Sequence, residues 1–78
     1  MLDEMHDAPA ALARFESYLA TEPAGSLAEE ARLGRAQALR VRGSRDEERA
    51  ALEELLRKHP ASVHASAARA RLAALRAP

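Results

Sequence analysis

Apolar side chains recur along this chain at helical spacing, and four segments can be read from that rhythm and its punctuation. Leu12, Phe15 and Leu19 form one stripe of a first helix placed at about residues 8–20, with Asp7 as its N-cap and Pro9 in its first turn. Pro23 ends that region, because the residue before a proline is pushed out of helical geometry. A second helix is expected over 26–42, opened by Ser26 with Glu29 as a capping box and closed by Gly43. The third, 44–59, repeats the device with Ser44 and Glu47, carries Leu52, Leu55 and Leu56, and stops before Pro60. Ser62 is read as the cap of a fourth helix, 62–75, carrying Val63, Ala67, Ala70, Ala74 and Leu75. The connections are short, so consecutive helices should lie antiparallel as neighbours.

The second helix differs from the first. It places Leu27, Ala31, Ala38 and Val41 on one side and Leu33 and Leu39 elsewhere, the mark of a helix covered from two directions. Composition sharpens this all-α picture. Twenty alanines and eleven leucines stand among 78 residues, with no Ile, Trp, Cys or Asn. Scarce β-branched and aromatic residues disfavour a sheet. The lack of cysteine excludes a disulfide scaffold and a thiolate metal site. No apolar run reaches the roughly 20 residues that span a bilayer, and the acidic N-terminus does not resemble a signal peptide. One domain over 1–78 is expected, with residues 1–6 disordered.

Charge sums to zero but is unevenly spread: −6 over residues 1–30, +3 over 31–58 and +3 over 59–78. Such asymmetry suits head-to-tail association or an acidic partner, or else describes only solvated helix faces. Zero net charge argues against nucleic-acid binding.

The halves also repeat. Phe15, Tyr18, Leu19 and Pro23 match Leu52, Leu55, Leu56 and Pro60 at an offset of 37. Beyond the prolines Gly25 has no counterpart at an offset of 36, which aligns Ser26 with Ser62, Leu27 with Val63, Ala31 with Ala67 and Leu39 with Leu75. A helix-pair period of this size is that of an α-solenoid. Ala11, Phe15, Tyr18 and Pro23 keep the spacing of the tetratricopeptide-repeat family, with Tyr where a small residue is usual. Glu48, Leu52, Leu55 and Pro60 keep the spacing alone, and Leu33-Gly34 echoes the family's first-helix motif. The chain thus resembles divergent bacterial members of that family, such as repeats of cell-envelope assembly lipoproteins and the Tol-Pal coordinator. The resemblance implies two TPR-like helix pairs in the order second-type, first-type, second-type, first-type, with the last helix as a C-terminal cap. Such arrays bury a continuous core with about three repeats. The chain is therefore expected to be the end of a longer array or to complete its core with another copy, for which Met1, Leu2 and Met5 offer an extra apolar turn.

The resemblance also assigns first-type helices to a partner-binding face. There Arg35 pairs with Arg71 and Arg40 with Arg76, each one repeat apart, and Arg32 and Arg42 flank Arg35. Such arginines can hold carboxylates through forked, charge-assisted hydrogen bonds. The alternative is that they pair within the protein with Glu29, Glu30, Glu47 and Glu48. No catalytic, cofactor or metal set stands out. His59 and His64 are separated by a helix boundary, and the adjacent acids Glu29-Glu30, Glu47-Glu48 and Glu53-Glu54 point in different directions on a helix. The function expected is protein–protein interaction or scaffolding, with a protein or peptide partner of acidic character and no enzyme activity. The alternatives are a structural homo-oligomer, such as a homodimer, and a helical DNA-binding regulatory domain. The cytoplasm is the default location, and the periplasm is the alternative if the chain belongs to a longer exported protein.

Overall fold

The computed structural model describes residues 8–76. The Asp7 cap and the expectation of disorder over 1–6 lie outside them. Four helices follow in order: α1 (Ala8–Thr21), α2 (Ala28–Arg42), α3 (Arg45–Lys58) and α4 (Ala65–Arg76). The all-α, four-helix class read from the sequence is what the chain adopts.

Alanine-rich surfaces let neighbouring helices approach closely. α1 packs on α2, α2 on α3 and α3 on α4, and among the described residues no other helix pair comes within 8 Å between Cα atoms. The core runs through these contacts as Leu12 from α1, Ala36, Ala38 and Leu39 from α2, Ala51, Leu52 and Leu55 from α3, and Ala68 and Leu72 from α4. α2 is covered from both sides, burying Ala28, Ala31, Arg32, Ala36, Ala38 and Leu39. α4 has one neighbouring helix and buries only Ala65, Ala68 and Leu72. Ala67, Ala70 and Ala74, expected on its apolar side, face solvent instead. Leu27, Val41 and Val63 are exposed as well, Val63 to 88% because it sits in the loop before α4.

Two of the expected serine caps are corrected. α2 starts at Ala28, and no side chain caps it. Tyr18 Oη accepts the Leu27 N–H at 3.1 Å, so an aromatic from the preceding helix satisfies a donor that Ser26 does not. α4 starts at Ala65, and Ser62 Oγ accepts the His64 N–H ahead of it while donating to Glu29. Ser44 does occupy the N-cap position of α3, but its hydroxyl accepts Arg42 Nε at 2.9 Å and Glu47 pairs with Arg42 at 2.8 Å. One arginine has displaced the capping box.

Gly43 behaves as expected. Its φ of 84° lies in the left-handed region, its N–H donates to Arg40, and the Ser44 N–H donates to Leu39. These two bonds form a Schellman closure of α2. Gly43→Ala is expected to cost about 1 kcal/mol in urea unfolding, since Cβ penalises this conformation. An unchanged midpoint would mean that the turn relaxes freely.

The repeat survives in the backbone with a corrected register. The Glu22 N–H donates to Tyr18 as His59 does to Leu55, and Gly25 to Glu22 as Ser62 to His59. Ala28 donates to Gly25 as Ala65 does to Ser62, and Ala31 to Leu27 as Ala68 to His64. Every pair is separated by 37 residues, so the expected slip to 36 after the prolines does not occur. Ser62 stands where the first copy has Gly25, and the likeness of Ser26 to Ser62 is a coincidence of composition. In this register Arg71 is level with Gly34, Leu72 with Arg35, and Arg76 with Leu39.

Gly34 is occupied by a neighbour. A Cβ built there would lie well inside van der Waals contact with the Phe15 ring, which rests on the α2 backbone. Gly34→Ala should therefore lose stability despite the roughly 1 kcal/mol that Ala gains over Gly in a helix. Combining it with Phe15→Leu should show positive coupling in a double-mutant cycle. Additive effects would place the ring elsewhere.

Candidate functional site: the arginine network

Helices built from Ala and Leu offer little polar surface, so the long side chains of α2 and α4 reach across to their neighbours. Arg32 is only 5% exposed despite its charge. Its Nε donates to Glu54 Oε2 at 3.0 Å, its Nη2 to the Pro23 carbonyl at 2.9 Å, and its Nη1 lies 2.8 Å from His59 Nε2. One guanidinium thus joins the loop after α1, the middle of α2 and the end of α3. Arg35 extends the network: its Nη1 lies 3.5 Å from Glu54 Oε1 and its Nε 3.4 Å from Glu16 Oε2. Both approaches are ion pairs without hydrogen-bond geometry, and among the described residues the buried Arg35 Nε has no acceptor.

Arg71 makes a separate, forked pair with Glu48 across α3 and α4, Nε to Oε2 at 2.7 Å and Nη2 to Oε1 at 3.0 Å. Glu48 is 2% exposed. Its hydrogen bond, and then its negative charge, raise the Arg71 pKa above the ordinary arginine value, against the opposing effect of desolvation. A pKa raised on folding stabilises the protein below the unfolded value and is lost only above it, so this contribution is constant across ordinary pH.

The six arginines singled out by sequence therefore divide. Arg32, Arg35 and Arg71 serve internal pairs, in keeping with the alternative that the sequence left open. Glu48 is one of the acids named there, whereas Glu54 and Glu16 were not. Arg42 is held locally by Ser44 and Glu47. Arg76 lies 3.8 Å from Glu53 near the surface, and Arg40 is exposed with no ion pair among the described residues. Neither Arg35 with Arg71 nor Arg40 with Arg76 is one structural repeat apart, so no evenly spaced ladder forms. Glu48 could have been found from its place in the buried stripe, four residues before Leu52, where an acid needs a partner.

The fork predicts an asymmetry. Arg71→Met leaves the buried Glu48 carboxylate unpaired, whereas Glu48→Met leaves a half-exposed guanidinium that can turn to water. Urea unfolding should find Arg71→Met the less stable of the two, and the opposite order would overturn this account of the fork.

Among the described residues no group of three or more His, Asp or Glu is arranged to hold a metal ion, and no helix is long and apolar enough to cross a membrane. Comparison with protein-family models, with curated proteins and with solved structures finds no match.

Proposed function

We propose that the chain is a protein-interaction module, a short α-solenoid segment of the tetratricopeptide-like kind. The observation that supports this reading most directly is that each helix packs only on its neighbours in sequence, which leaves α1 and α4 each uncovered on one side. The loop hydrogen bonds recurring every 37 residues agree with a stack of helix pairs. An acidic partner segment would meet Arg40, Arg42 and Arg76, the exposed three of the six arginines singled out by sequence. Self-association is the second reading, favoured by the same uncovered sides.

The test is capture of a partner from cells, followed by its affinity for the wild type and for an Arg40→Gln/Arg42→Gln/Arg76→Gln variant across a salt series. Weaker binding with a flatter salt dependence supports the arginine face. Unchanged binding removes that face from the proposal. A dimer that persists on dilution in light scattering, with no partner captured, replaces the module reading with the homo-oligomer.

A further inference from the structure

At the end of the molecule where α1 finishes and α2 begins, an open cleft of about 360 Å³ lies between the α1–α2 loop and the last turn of α3. Pro23, Gly25 and Ala28 form its apolar side, and Arg32, Lys58 and His59 its polar side. Among the described residues no carboxylate lines it. Glu54 holds Arg32 through Nε, and Pro23 and His59 each engage one terminal nitrogen. A guanidinium carries five N–H groups, so one remains on each terminal nitrogen. Because a guanidinium only donates, His59 Nε2 is the acceptor of this contact. Lys58 is exposed beside it in the last turn of α3.

We propose that this cleft seats a compact oxyanion, a carboxylate or a phosphoryl group. The buried Arg32 is a pre-positioned donor whose geometry is fixed by its three partners, and Lys58 adds an unburied positive charge at the rim. Fixing donors before binding removes part of the ordering cost that weakens most surface anion sites. The inference is independent of the interaction-module reading, because a free anion can occupy the seat whether or not the protein has a macromolecular partner.

The test is a backbone-amide NMR titration of the full chain with sodium phosphate and, separately, sodium acetate, at fixed pH and ionic strength set by sodium chloride. Saturable shifts centred on Ala24, Gly25, Lys58 and His59 are expected for at least one anion, and the anion that saturates first names the preferred source. Lys58→Gln should weaken that binding roughly three- to five-fold, the effect of losing one surface charge, while Arg40→Gln at the other end of α2 should leave it unchanged. Shifts that stay linear for both anions, or a Lys58→Gln response equal to the wild type, overturn the proposal.

Discussion

Leu55→Ala is expected to destabilise the protein by about 3 kcal/mol, the cost of removing a buried leucine where the surroundings cannot close the gap. Leu55 is the centre of the α3 stripe and has 0% exposure. Its neighbours in the core are alanines and leucines, with Leu33, Leu56 and Leu75 packed against them. A domain of this length has a total stability on the order of 4 to 12 kcal/mol, so such a loss is a large share of it. Thermal melting should fall by roughly 12 to 24 °C. Leu27→Ala and Val63→Ala, at exposed positions of similar chemistry, should move it by less than about 0.5 kcal/mol. A Leu55→Ala midpoint as close to the wild type as theirs would place the core elsewhere.

Arg32→Met is expected to cost about 2 kcal/mol, although methionine fills much of the same volume. The loss comes from the partners left behind: the Pro23 carbonyl, the Glu54 carboxylate and His59 Nε2 all give up a charged donor at once. Lysine should restore only part of it, because a point ammonium on a flexible stem cannot meet three acceptors set at the angles of a planar fork. The order of stability should be wild type, then Arg32→Lys, then Arg32→Met, with Arg40→Met near the wild type. Urea unfolding of the four proteins measures that order. Equal stability of the Met and Lys variants would show that volume, and not the fork, is what the site needs.

The sequence carried the helices well because their signals are local. Pro23 and Pro60 bound two of them, Gly43 closes α2 as its geometry demands, and the third helix falls within a residue of its expected limits. What stayed hidden depends on contacts between distant residues. The Leu27 N–H is satisfied by Tyr18 from another helix, and Ser44 is taken by Arg42, so the capping boxes written into the sequence are not the bonds that form. The repeat register is hidden for a related reason. Side-chain types align Ser26 with Ser62, whereas the backbone pairs Gly25 with Ser62 through identical turn hydrogen bonds. The site was the least legible part. Exposed and buried arginines look alike in sequence, and only the position of Glu54 across the α2–α3 contact shows that Arg32 and Arg35 face inward.

Packing restricted to sequence neighbours also decides the order in which the molecule comes apart. Every helix–helix contact joins segments close along the chain, so loops closed on folding are short and the entropic barrier is small; folding should be fast for the size. With no contact between α1 and α4, neither end helix protects the other, and each can peel away while α2 and α3 remain paired. Hydrogen exchange should therefore find the slowest amides around Leu39 and Leu55, with α1 and α4 opening in separate, independent events.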